Sequence, residues 1–106
     1  MAKYLLTGSY TAEGLRGLQK ETGTGRRDAV AQLVKSAGGS LESFFFAFGE
    51  DDVVTIVDMP DNTSISAISI AASASGFVKT RVTPLLTVAE VDAALKKSAT
   101  YRPPGH

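Results

Sequence analysis

Apolar residues along the chain recur at two different periods, and the points where the period changes divide it into elements. Residues 3–10, Lys-Tyr-Leu-Leu-Thr-Gly-Ser-Tyr, have the aromatic, aliphatic and threonine content of a strand and are too short for a helical repeat. Thr11 then supplies a hydroxyl cap and Glu13 a first-turn acid, and Leu15 and Leu18 stand three apart, which predicts a helix weakened by Gly14 and Gly17. The stretch Glu21-Thr-Gly-Thr-Gly25 interrupts that pattern. From Arg26 the spacing resumes with Ala29, Val30, Leu33, Val34 and Ala37, an amphipathic helix that Gly38-Gly39 should stop.

Residues 41–48 and 52–59 read as two strands joined through Gly49-Glu50-Asp51, a β-hairpin. Pro60-Asp61-Asn62 turns the chain. An acceptor among Asp61, Asn62, Thr63 and Ser64 should cap a helix of Ile, Ala and Ser that ends at Gly76. A last strand is predicted over 77–83, broken by Pro84, and Thr87-Val-Ala-Glu90 is a capping box opening a short helix through Leu95. One domain over 1–98 is expected, with 99–106 an extended, proline-rich tail.

The order β, α, β, β, α, β plus an extra helix is the split βαβ pattern of a ferredoxin-like α+β sandwich. Helices cover one face of such a sheet, and in a lone monomer the other face should turn polar. Here Phe44, Phe45, Phe46 and Phe48 put rings on both faces of one strand, and Val53, Val54, Ile56 and Val57 repeat the pattern in the next. The simplest cover for the helix-free face is a second copy of the same sheet, so a homodimer or higher homo-oligomer is the expected assembly.

Composition narrows the chemistry. Lysine plus arginine equals aspartate plus glutamate at 11 each, so no overall field draws the chain to nucleic acid or an anionic membrane, and neither is an expected partner. The absence of cysteine removes disulfides, thiolate metal sites and cysteine nucleophiles. No run approaches the roughly 18 consecutive apolar residues that span a bilayer, and Met1 leads straight into a strand with no secretory pattern, so a cytoplasmic location is expected.

Several stretches carry a family likeness. The hairpin Phe48-Gly49-Glu50-Asp51-Asp52-Val53-Val54 with Val57-Asp58-Met59-Pro60-Asp61 resembles the GYD family of small bacterial proteins. So do the opening 4–11 with Glu13-Gly14, Gly38-Gly39 before the second strand, and Ala74-Ser75-Gly76 before the fourth. The resemblance implies a dimeric α+β barrel, in which two ferredoxin-like sheets pack together. It implies no particular activity. Gly49, Glu50 and Asp52 fit the family hairpin, while Asp51 stands where the pattern has tyrosine.

Candidate chemistry is sparse. Glu50, Asp51 and Asp52 could offer oxygen ligands to a hard cation, but neighbouring strand residues point to opposite faces; a solvated turn in which Asp52 bonds backbone N–H groups explains them better, and no metal site is expected. Gly23-Thr-Gly-Arg-Arg27 lacks the lysine and hydroxyl of a phosphate loop and reads as a flexible break between helical pieces. His106, the single histidine, is at the chain end and gets no role. Tyr4, Tyr10, Lys79 and Arg81 lie on the first and fourth strands, neighbours in this topology, where a phenol and a cation together could hold a ligand or polarise a carbonyl. Tyr4 and Tyr10 share one face by parity, as do Lys79 and Arg81; whether the two faces coincide stays open at this level.

Two functions fit these residues. One is a non-catalytic, homo-oligomeric binding or structural module; the other is a cofactor-free isomerase, lyase or monooxygenase acting on a small carbonyl or phenolic metabolite. Neither needs a cofactor. A ligand site is expected between sheet and helices near Tyr4, Tyr10 and Arg81, away from both glycine loops.

Overall fold

The computed structural model describes all 106 residues. Seven elements follow in the order β1 (Ala2–Tyr10), α1 (Ala12–Ser36), β2 (Ser40–Phe46), β3 (Val53–Met59), α2 (Asn62–Ala74), β4 (Val78–Leu85) and α3 (Val88–Lys96). The strands form one antiparallel sheet ordered β2-β3-β1-β4. This is an α+β, ferredoxin-like fold with an added C-terminal helix.

Local chemistry accounts for most of the boundaries. Thr11 caps α1 by accepting from the Gly14 N–H at 3.2 Å, and Asp61 caps α2 by accepting from the Ser64 N–H at 2.8 Å. That bond holds the Asp61 carboxyl below the usual carboxylate range. Thr87 and Glu90 close both bonds of the capping box at the start of α3. Gly38, at φ +86°, ends α1, and the Gly39 N–H returns to the Val34 carbonyl at 3.0 Å.

One boundary differs from expectation. Pro84 does not end the last strand but lies inside β4, opposite Tyr4. β4 is a sheet edge, where a missing N–H breaks no ladder bond on the outer side.

Even-numbered residues of β1 and β4 and odd-numbered residues of β3 face the helices. Tyr4, Leu6, Val57 and Met59 from the sheet meet Val34 of α1 and Ile65 and Ile68 of α2 in a core cluster of seven buried residues. That cluster sits at the Tyr4 end of β1. The opposite, open face presents Leu5, Val54 and Ile56, each half-buried, beside Phe45, which is 66% exposed. Lys3 ties this face at one end by bonds of 3.0 Å to both Glu42 and Asp58.

α3 buries none of its residues, and Leu86, Val88 and Leu95 stand in solvent. The radius of gyration is 16.8 Å, against roughly 13 Å for a compact chain of this length. The accessible surface is 7262 Å², where a folded monomer of 11.1 kDa should expose roughly 5700 Å².

Candidate functional site

Beyond the core, toward the Tyr10 end of β1, the helices and sheet separate around a cavity of about 410 Å³. Leu6, Val53 and Val78 of the sheet, Val30 and Leu33 of α1 and Ile68 of α2 give it apolar walls. Its ionisable groups are Tyr10, Glu21 and Arg26.

A break in α1 brings the two charges there. Thr22 has φ +74° and ψ 167°, so the helix is two pieces, 12–21 and 23–36, joined at one left-handed residue. A threonine so placed stores about 1–3 kcal/mol of strain. Its hydroxyl caps the second piece by accepting from the Gly25 N–H at 3.4 Å, and Gly23 lies over the Phe46 ring, where a Cβ would come within 3.2 Å. In an unbroken helix, residues five apart do not face each other. Here Arg26 Nη1 and Glu21 Oε2 are 3.4 Å apart, with both side chains about a third exposed at 34%.

The pairing leaves Arg26 incomplete. Its Nε is buried and has no hydrogen-bond acceptor. A buried unmet donor costs about 1–3 kcal/mol, more when charged. The Tyr10 backbone N–H donates to Asp52 Oδ2 at 2.8 Å. Burial pushes the Tyr10 phenol above its ordinary value; the nearby Arg26 charge pulls it down, and Glu21 and Asp52 push it up. The phenol is therefore an O–H donor across the physiological range.

Thr80 closes the α2 side of the cavity, its hydroxyl 2.6 Å from Ser69 Oγ and 2.7 Å from Ser73 Oγ. Gly14 permits the entry of α1, because a Cβ there would lie 2.0 Å from the Phe77 carbonyl oxygen. The Thr11 N–H and hydroxyl both donate to that carbonyl, at 3.0 and 3.2 Å.

The structure divides the four sheet residues singled out from the sequence. Tyr10 lines the cavity. Tyr4 shares its face but is 3% exposed in the core, its hydroxyl donating to Asn62 Oδ1. Arg81 and Lys79 are not at this site: they pair with Thr7 and Ser9 across the β1–β4 ladder, on the open face. There they border a smaller polar hollow with Ser9, Glu50 and Asp51. Arg81 Nη2 donates to both oxygens of Asp51 at 2.7 Å, so Asp51, at the hairpin's tyrosine position, is the partner of Arg81.

Of the hairpin motif, Asp52 anchors β1 through Tyr10, and the exposed Gly49 donates to the Asp51 carbonyl at 3.2 Å. No group of three or more histidine, cysteine, aspartate or glutamate side chains is arranged to hold a metal ion. No helix is long and apolar enough to cross a membrane.

Sequence reasoning missed Glu21 and Arg26. Glu21 opens the Glu21–Gly25 stretch and Arg26 belongs to the Gly23–Arg27 stretch, which read as a break between helical pieces away from any ligand site; the structure instead puts both side chains in the cavity lining. Their approach depends on the single backbone conformation at Thr22.

No curated protein and no solved structure matches the chain. The model of the GYD domain matches residues 4–95, a span running from β1 into α3. The chain belongs to the GYD domain family.

Proposed function

We propose that the protein is a homo-oligomeric binding module that holds a small molecule in the cavity between α1, α2 and the sheet. The observation that carries this reading is the cavity itself: about 410 Å³, apolar-walled, with Tyr10 and Arg26 among its few polar groups. Ligand pockets typically run from about 300 to 1000 Å³ and have this mixture of apolar walls and sparse polar groups.

Self-association is supported by the surface excess and by the open face. That face combines Leu5, Val54, Ile56 and Phe45 with both signs of charge, Lys3 and Arg81 against Asp58, Glu42 and Asp51. A twofold partner brings the same mixture of apolar and charged groups to the contact. Standard interfaces bury about 800 Å² per partner, within the surplus this chain exposes.

A thermal-shift screen of small carbonyl, phenolic and carboxylic compounds tests the binding reading on the wild type and on Gly17→Phe. The exposed Gly17 lines the cavity, and a Cβ there meets no atom within 4 Å, so a phenyl group can be placed at the cavity's rim without a clash. Hits should raise Tm in the wild type and lose that effect in the variant. Equal shifts in both would put the site elsewhere, and no hits at all would leave a structural role.

One observation favours a second reading, a cofactor-free enzyme of the isomerase, lyase or monooxygenase type. A protonated Tyr10 and the unmet Arg26 Nε are two donors suited to a developing enolate oxygen, with Glu21 as the adjacent base. Exchange of the α-protons of a bound carbonyl compound with deuterated solvent, lost in Glu21→Gln, distinguishes catalysis from binding alone.

A further inference from the structure

We infer that the cavity ligand is a small apolar carboxylate whose anionic head takes the open Nε–Nη2 edge of Arg26 beside Glu21, its hydrocarbon body lying between α2 and the sheet. The inference rests on the reading of the cavity as a binding site and adds the chemical class of its occupant.

Three features lead to a carboxylate. Arg26 presents a planar fork of donors, and a carboxylate matches Nε and one Nη together. In this chain the edge formed by Nε and Nη2 is open: Glu21 lies on Nη1 at 3.4 Å, longer than the roughly 2.7–2.9 Å of a strong charge-assisted bond, while Nε meets no acceptor. A carboxylate on Nε and Nη2 would therefore meet the buried donor and form the two-bond pair that Glu21 does not. Glu21, held at Nη1 across the Thr22 break, leaves that edge open.

The polarity of the other groups agrees. Tyr10 supplies an O–H donor to the same cavity, which suits an acceptor oxygen and not a cation. A cationic ligand would meet the Arg26 charge, and a neutral hydrocarbon would leave Nε unmet. The apolar walls from Leu6, Val53, Val78 and Ile68 require a body without further charge.

The test compares 2-naphthoate with its neutral isostere 2-naphthalenemethanol by calorimetric titration of the intact chain. Naphthoate should bind about tenfold tighter or better, the worth of one charge-assisted hydrogen bond. Glu21→Gln should strengthen naphthoate binding several-fold by removing a like charge beside the site. Arg26→Gln should abolish the preference, and Arg26→Lys, which keeps the charge but not the fork, should retain only part of it; circular dichroism checks that each variant is folded. Equal affinity for the two compounds, or a preference that survives Arg26→Gln in folded protein, overturns the carboxylate assignment while leaving the binding module intact. Failure of both compounds to bind removes the cavity reading along with it.

Discussion

The carboxylate of Asp52 accepts the backbone N–H of Tyr10 at 2.8 Å, fastening the last residue of β1 to the start of β3. The Asp52 N–H completes the clasp by donating to the Gly8 carbonyl at 2.8 Å. The hairpin aspartate thus has a structural task. It fixes the backbone of the residue whose phenol enters the cavity.

Asp52→Ala should lower stability by about 1.5–3 kcal/mol, the range for a hydrogen bond to a charged acceptor. Asp52→Asn keeps an acceptor oxygen and should cost less. Urea unfolding at neutral pH measures both, and equal costs for Ala and Asn would show that the bond contributes little.

Two glycines of α1 should respond in opposite directions. Gly14→Ala drives a Cβ toward the Phe77 carbonyl and should destabilise by about 1–3 kcal/mol or more through overpacking. Gly17→Ala meets open space in a helical segment and should stabilise by roughly 0.5–1 kcal/mol. Thermal unfolding of the two variants checks the docking of α1, since an incorrectly placed helix would not separate them.

Sedimentation at micromolar concentration should give a dimer or a multiple of it. Phe45→Glu places a charge at the exposed ring of the open face and should shift the chain toward monomer without unfolding it. Truncation after residue 86 removes α3, whose Val88 and Leu95 have no cover within the chain, and should also weaken association. A wild type that stays monomeric excludes the proposed assembly.

Much of this architecture was legible from residue spacing. Strand and helix order followed from period changes and caps, and Thr11, the acceptors around Asp61, and the Thr87–Glu90 box marked helix starts correctly. What stayed hidden depended on strand register. Tyr10 and Arg81 looked compatible because β1 and β4 are neighbours, yet one ladder step decides which face each side chain takes, and Arg81 pairs with Thr7. Pro84 misled for a related reason, since a proline breaks an interior strand but is tolerated on an edge, and edge position is a property of the whole sheet. Arg26 was obscured because its role comes from a positive φ at a threonine, which composition does not announce.

The Tyr10 phenol gives the most direct measurement of the candidate site. Burial raises its pKa above the ordinary tyrosine value of about 10, so the folded state holds the phenolic proton more tightly than the unfolded chain does. The stability this contributes is fully present below the unfolded value and is lost as pH rises through the folded one. Ultraviolet titration of phenolate absorbance should show a late phase that Tyr10→Phe diminishes. The neighbours then set opposite signs. Arg26 lowers the Tyr10 value by its positive charge, so Arg26→Gln should move the late phase further up; Glu21 raises it, so Glu21→Gln should move the phase down. Opposed shifts would place all three side chains in one electrostatic environment, whereas no movement in either variant would mean that Arg26 and Glu21 do not approach the phenol, and the cavity would lose its polar side.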